Sequence, residues 1–200
     1  CELAYRMQAE ATDAFDFNKE PKHVREAYGS GTHARQLLVT RRLLERGVRF
    51  IQVWSGKSQP WDNHDGLEKN HRKLAGEWDQ PLAAFLADLR QRGLLDSTLV
   101  LWGGEFGRTP VAEYPKLDGR DHNHYGFTCW LAGAGVKGGQ VIGSSDEDGA
   151  MPKDRPVQVA SIHATLCHAL GINHDKEVMT PLQRPMKLVD NGKPVMELFG

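Results

Sequence analysis

The stretch LVLWGGEFGRTP, residues 99–110, indicates the fold class of this chain. An apolar run, TLVLW from residue 98, ends in two glycines, and a single carboxylate, Glu105, follows at once. Strands that are apolar throughout are typical of parallel sheets covered on both faces, because side chains on both faces of such a strand are buried. The stretch therefore predicts a buried parallel strand with an acidic residue where the strand meets its loop.

The neighbouring segments alternate between helical and extended patterns. Apolar residues at spacings of three and four predict helices over residues 33–46, 71–92 and 156–170, the second with a kink or a break at Pro81. Runs of β-branched and aromatic residues predict further strands over 48–54 and 127–131, with strand-like pieces at 186–189 and 195–199 around an Asn191-Gly192 turn. This alternation predicts an α/β fold: a mostly parallel sheet with helices on both faces.

The composition is that of an ordinary globular protein. A length of 200 residues suffices for one domain with a core, so we expect a single domain over 1–200, with 1–30 as a peripheral helix and linker. The formal net charge of -1 gives no reason to expect nucleic acid or an anionic membrane as a partner. No apolar run approaches the roughly 18 residues that a membrane span needs. The first residue is Cys1 and not Met, which indicates a fragment or a processed product.

Polar side chains gather where the predicted strands end. WDNHDG, with Asp62 and His64, follows the strand at 48–54, and Glu105 follows the strand at 98–102. The long loop 103–126 could bring GRDHNH, with His122, back to the same edge. Ligands bind at the carboxyl ends of the strands in such sheets, so these residues form the candidate site.

The residue types at this edge suit a divalent metal. Carboxylate with imidazole favours Zn, Mn or Fe, and carboxylates with amides favour Ca or Mg. Asp62 and His64, two positions apart, can point the same way on an extended loop, and Glu105 and His122 would complete the ligand set. Arg108 and Arg120 could hold phosphate or sulfate oxygens through the bidentate fork that lysine lacks.

Each of these motifs also has a purely structural explanation. An Asp-x-His pair in a polar loop often forms a solvated turn, and Asp121 and His122 could form an ion pair. Glu105 could cap its loop or pair with Arg108. The residues alone leave these alternatives open.

Three segments together resemble a known family. WDNHDG, LVLWGGEFGRTP and GRDHNHYGFTCWLAGAGVKGGQVIGSSDEDG look like the signature of the sulfatase-like proteins of domain of unknown function 1501. The resemblance runs in order over most of residues 33–170, and IHATLCHALGI at 162–172 is similar to the family's C-terminal part. That family is placed in the alkaline phosphatase superfamily, with sulfatases and phosphomutases.

The resemblance implies an alkaline phosphatase-like sandwich, of which this chain would be the C-terminal half. It implies Asp62, His64 and His122 as ligands of one metal, with His124 as the fallback, and Glu105 as the acidic ligand after a strand. Arg108 and Arg120 would stabilise charge on the equatorial oxygens in the transition state. Phe106 stands where the phosphatases have a paired His, and no Ser or Thr matches a nucleophile motif, so the chain is expected to be incomplete as a catalyst.

The resemblance therefore implies a hydrolase of sulfate or phosphate esters, acting on a small molecule or a glycan with Zn, Ca or Mn. The alternative is a non-catalytic sulfatase-like protein that binds a glycan or a protein partner, which Phe106 favours. A third possibility is a structural protein with incidental loop charges. Export signals in family members imply a periplasmic or secreted location.

Overall fold

The computed structural model describes residues 12–200, which divide into two compact units. The helical unit runs to Leu95 and also includes Val111–Asp121; the ribbon unit comprises Asp96–Pro110 and His122–Gly200. The helices are α1 Lys22–Tyr28, α2 Thr32–Glu45, α3 Leu67–Gln91 and α4 Val159–Ala169. The strands are β1 Val100–Trp102, β2 Gly107–Arg108, β3 His122–Asn123, β4 Trp130–Ala132, β5 Ser144–Ser145, β6 Pro152–Asp154, β7 Glu177–Met179 and β8 Pro185–Lys187.

The helical unit packs α1, α2 and α3 against one another. On α3 the buried side chains Trp78, Phe85 and Leu89 recur at spacings of seven and four, which keeps them on one face. Leu37 and Leu38 of α2 are buried in the same unit. The helices are thus held together by burial of their apolar faces, the main source of helix stability in proteins.

A buried arginine connects three segments of the helical unit. The Arg41 side chain is 1% exposed, and its guanidinium nitrogens lie 2.6 Å from Glu20, 2.7 Å from Glu45 and 3.1 Å from Asp88. The contact with Glu45 has hydrogen-bond geometry, whereas those with Glu20 and Asp88 are ion pairs with poorer alignment. Asp88 also accepts a hydrogen bond of 2.9 Å from the Tyr28 hydroxyl. Residues before α1, on α2 and on α3 are therefore joined around one charge.

The ribbon unit contains four separate two-stranded antiparallel ribbons: β1 with β4, β2 with β3, β5 with β6, and β7 with β8. In the first, Trp102 lies opposite Trp130 and their rings stack 6.2 Å apart. Such cross-strand aromatic pairs stabilise a two-stranded ribbon that has no further neighbour.

The predicted alkaline phosphatase-like sandwich with a mostly parallel sheet is wrong. Every strand pair is antiparallel, and no strand exceeds three residues within 12–200. An apolar run specifies a strand but not the direction of its partner; here β1 pairs antiparallel with β4, and Leu101 stays 40% exposed. Residues 48–54 form no strand, and Phe50 and Trp54 in that segment are 70% and 68% exposed.

Local predictions agree better with the structure. The helices predicted over 33–46, 71–92 and 156–170 correspond to α2, α3 and α4, and strands at 98–102 and 127–131 to β1 and β4. The sequence predicted a kink or a break at Pro81; the break is wrong, because Pro81 lies inside one uninterrupted helix. In the tail, a strand lies at Pro185–Lys187, whereas Met196–Leu198 is a 3-10 turn. The helix expected near the start falls partly on residues 1–11, outside the described residues.

None of the helices in residues 12–200 combines the length and the apolar character that crossing a bilayer requires.

Replacing Arg41 with methionine should lower the free energy of unfolding by about 3–5 kcal/mol, because it leaves buried carboxylates without their cation. Urea denaturation measures this change. Arg90→Met is the control, because Arg90 is an exposed arginine of α3. Its free energy of unfolding should stay within about 0.5 kcal/mol of the wild-type value. Equal effects of the two substitutions would contradict the structural role of Arg41.

The protein should also lose stability in acid through Glu20. Burial opposes ionisation of this residue, but its contacts with Arg41 and Arg42 outweigh burial and hold its pKa below the ordinary 4.5. A depressed pKa contributes stability above the unfolded value of 4.5, and this contribution is lost as the pH falls through the folded pKa. Urea unfolding between pH 6 and pH 3 should therefore show a smaller loss for Glu20→Gln than for the wild type; an identical pH profile would contradict this assignment.

Candidate metal centre

The first loop of the site, residues 55–66, is attached to α3 through aromatic side chains. The Ser55 hydroxyl accepts hydrogen bonds from the indole nitrogens of Trp61, at 2.6 Å, and Trp78, at 2.7 Å. The ring of His71, on α3, lies 3.1 Å from the Trp61 carbonyl oxygen through Nε2. The loop that carries Asp62 and His64 is thus held at a defined position.

A second loop, residues 111–121, is bonded to the first. The Arg120 amide donates to the Asn63 carbonyl at 3.1 Å, and the Leu67 amide donates to the Asp118 carbonyl at 3.0 Å. At Gly119 the backbones come so close that a Cβ atom would lie 2.0 Å from the His64 carbonyl oxygen. Only glycine permits this approach.

An exposed ion pair adds to these contacts. Lys116 Nζ lies 2.5 Å from Asp65 Oδ2. The hydrogen bond from Lys116 lowers the pKa of Asp65 and raises the pKa of Lys116. Because solvent and salt screen an exposed pair, it orients the loops more than it stabilises them.

His64 is held between two carboxylates that the loops contribute. Its Nε2 lies 3.1 Å from Asp62 Oδ1, and its Nδ1 lies 3.1 Å from Glu113 Oε2. A neutral imidazole can donate from one nitrogen only. Two carboxylates, one beside each ring nitrogen, are therefore favourable when the ring either carries a second proton or binds a metal ion.

A third carboxylate completes a group with metal-ligand spacing. His64, Glu113 and Asp121 each offer one ligand atom, and these atoms lie within 4.8 Å of one another. The segments 61–66 and 111–121 together carry five carboxylates against two permanent cations, Lys116 and Arg120. This surplus of negative charge favours a bound cation.

The structure distributes the sequence-predicted residues over the two units. Asp62, His64 and Arg120 lie in the helical unit. Arg120 is half-buried and its Nη1 donates to the Gly119 carbonyl at 2.6 Å. Glu105, Arg108 and His122 lie in the ribbon unit.

Within the ribbon unit these residues surround one short ribbon. Arg108 of β2 lies opposite His122 of β3. The Phe106 ring lies 4.4 Å from the His122 ring and 5.7 Å from the Arg108 guanidinium carbon. Glu105, which precedes β2, is exposed.

Sequence reasoning did not identify Glu113 as a site residue, and it treated Asp121 only as a possible ion-pair partner of His122. Glu113 lies in VAEYPK, where no spacing relates it to WDNHDG. Its proximity to His64 depends on the pairing of two loops, because the two residues are 49 positions apart in the sequence.

Gly119→Ala should separate the two loops and lower the free energy of unfolding by about 1–3 kcal/mol, because the added methyl group overlaps the His64 carbonyl. Thermal or urea unfolding measures the loss. Gly76→Ala is the matched control: the position is inside α3 with no atom within 4 Å of the added Cβ. It should raise stability by roughly 0.5–1 kcal/mol, the helix preference of alanine over glycine. A Gly119→Ala protein as stable as this control would show that the close approach is not required.

Comparisons with known proteins identify the family and no individual relative. Neither the curated proteins nor the solved structures contain a match to this chain. The model of one family, described as protein of unknown function (DUF1501), matches residues 1–199. Because the match extends over nearly the whole chain, this protein belongs to the DUF1501 family of proteins of unknown function.

Proposed function

We propose that this protein is a metal-dependent hydrolase of sulfate or phosphate esters whose metal is held by His64, Glu113 and Asp121. The observation that supports this most directly is the imidazole of His64 between two carboxylates, each 3.1 Å away, with a third carboxylate in ligand range. One imidazole and two carboxylates suit Zn or Mn better than Ca, which takes six to eight oxygen ligands.

In this proposal Asp62 orients His64, whereas the resemblance implies Asp62 as a metal ligand. With the metal on the side of Nδ1, Nε2 of His64 would donate to Asp62 Oδ1, 3.1 Å away. Metal-bound histidines commonly donate their second ring hydrogen to a carboxylate, which fixes the ring orientation and increases its basicity. We therefore assign Asp62 as the residue that orients His64.

The chain's own residues would bind and orient the ester. A bound divalent cation supplies electrophilic assistance by withdrawing charge from an ester oxygen. Arg120 uses Nη1 on the Gly119 carbonyl, and the rest of its planar guanidinium can donate to sulfate or phosphate oxygens. Hydrolysis adds water across the ester bond and releases an alcohol and the inorganic anion. Glu105, Arg108 and His122, in the ribbon unit, are not part of the proposed ligand set.

A second candidate function is non-catalytic binding of a glycan or a protein partner. The Phe106 ring, which packs 4.4 Å from His122, favours this candidate, since an apolar ring there replaces the histidine that the resemblance would require. A periplasmic or secreted location remains a prediction for either function.

Metal content and turnover test the proposal. The wild type should contain about one Zn or Mn per chain, and His64→Ala should contain almost none, because it removes the only nitrogen ligand of the proposed set. Elemental analysis measures the metal, and release of 4-nitrophenol from its sulfate and phosphate esters measures turnover. His23→Ala, an exposed histidine on α1, should keep the metal and the activity.

The outcomes separate the two candidates. Turnover that chelation abolishes and added Zn or Mn restores supports the hydrolase. Metal without turnover of either ester leaves the binding protein as the better account. Absence of metal in the wild type, even after incubation with Zn and Mn, overturns the proposed centre.

A further inference from the structure

The segment FIQVW, residues 50–54 of the helical unit, has the pattern of a β-strand without a partner strand. It runs without helix, turn or bend, and its side chains alternate between exposed and half-buried. This period of two is that of a strand with one face in solvent. The exposed residues are Phe50, Gln52 and Trp54, and the half-buried ones are Ile51 and Val53. We call residues 50–54 the open strand.

The backbone of the open strand has unused hydrogen-bonding groups. No amide or carbonyl of residues 50–53 bonds to another backbone group within the described range 12–200. The Trp54 carbonyl accepts a hydrogen bond of 3.4 Å from the Gln36 side chain on α2. Because alternate residues of a strand direct their backbone groups to opposite edges, Trp54 and Gln52 share the edge that faces Gln36. The other edge carries the backbone groups of Ile51 and Val53, which have no backbone partner among the described residues.

This unpaired edge, and not exposure alone, distinguishes the open strand from other exposed apolar residues. Leu182, for example, is 78% exposed but lies in a turn. Proteins protect a strand edge with lysine, proline, a bulge or a covering segment, because an unprotected edge pairs with other strands. FIQVW contains no charged residue, proline or glycine. The segment therefore has the properties of a strand that pairs with another chain.

We propose that the open strand pairs antiparallel with the open strand of a second copy of this chain, with Gln52 on the two-fold axis. Phe50 then lies opposite Trp54 of the second copy, and the two copies of Gln52 lie opposite each other. Ile51 exchanges both of its backbone hydrogen bonds with Val53 of the second copy, which uses the unpaired edge.

The sequence of the open strand favours a second copy as the partner, because a two-fold interface must be self-complementary. An axis at Gln52 places both exposed aromatic rings opposite an aromatic ring. An axis at Phe50 would place Trp54 opposite Arg46, and an axis at Trp54 would place Phe50 opposite Ser58. Cross-strand aromatic pairs stabilise a ribbon, so the axis at Gln52 is favoured. Since the edge at Trp54 already contacts Gln36, assembly stops at two copies.

The mass of the full chain in solution tests this proposal. Sedimentation equilibrium should show a mass that rises from one chain toward two between about 1 μM and about 300 μM, as expected for a small, reversible interface. Phe50→Lys combined with Trp54→Lys places like charges opposite each other and should weaken the association about tenfold or more. Leu182→Lys adds a lysine at an exposed position of the ribbon unit and should leave the Kd unchanged.

A charge exchange tests the register. Phe50→Lys combined with Trp54→Glu places each lysine opposite a glutamate of the second copy. This variant should associate about tenfold more tightly than the double-lysine variant. Far-ultraviolet circular dichroism checks that both variants keep the helical content of the wild type.

Amide hydrogen exchange gives a second test that needs no substitution. As the concentration of the wild type increases, exchange should slow at the amides of Ile51 and Val53, which face the second copy. The amide of Gln52 faces the other edge, and its exchange rate should not change.

Several outcomes would overturn the proposal. A protein that stays monomeric over this concentration range, or that assembles without limit, does not form the proposed pair. A double-lysine variant that dimerises as tightly as the wild type would show that another surface mediates the dimer. Equal weakening by the two charge variants, or slowed exchange at Gln52 in place of Ile51 and Val53, would contradict the register.

Discussion

The helical unit depends on the burial of one positive charge, that of Arg41. Its side chain is 1% exposed, and taking a guanidinium out of water is costly unless carboxylates surround it. Glu20, Glu45 and Asp88 supply them from three different segments. A misplaced helix would leave that charge partly unpaired, so the network favours one arrangement of α2 and α3 over others that would bury similar apolar area.

The candidate metal centre is built at the opposite end of the helix that this network holds. Asp88 lies near the C-terminal end of α3, while the first loop leads into α3 at Leu67. The Leu67 amide, at the first turn, binds the Asp118 carbonyl of the second loop. The two loops therefore share an attachment to a helix whose position is already determined, and this is the way in which irregular segments can hold ligands at fixed distances.

The second loop supplies two of the three residues of the proposed ligand set, Glu113 and Asp121. The proposal for the metal comes from donor chemistry and from distances within the helical unit. It does not rely on the alkaline phosphatase-like sandwich, which the antiparallel ribbons contradict. Membership of the DUF1501 family is compatible with several functions, because a family of unknown function carries no assigned reaction.

The sequence predicted individual helices and strands well, but it did not predict how the strands pair. The helices α2, α3 and α4 could be predicted because an amphipathic spacing reports on one element at a time. The strand at TLVLW was also predictable, but its partner was not: an apolar run can pair in either direction, and the choice of β4 depends on the path of the intervening loop. Pro81 shows that local propensity can also mislead. A proline inside a helix favours an interruption, but tertiary packing keeps α3 continuous through Pro81.

The residues of the candidate site also divide into those that the sequence predicted and those that only the structure revealed. By itself, the sequence determined the family, the positions of three helices, and the loop WDNHDG with the metal-binding residue types Asp62 and His64. Only the tertiary structure brought Glu113 and Asp121 to His64. The physical reason is that periodicity and residue type are encoded locally, whereas a coordination group is defined by distances between segments far apart in the chain. Those distances depend on backbone contacts, such as that of Gly119 with His64, that leave no pattern in the sequence.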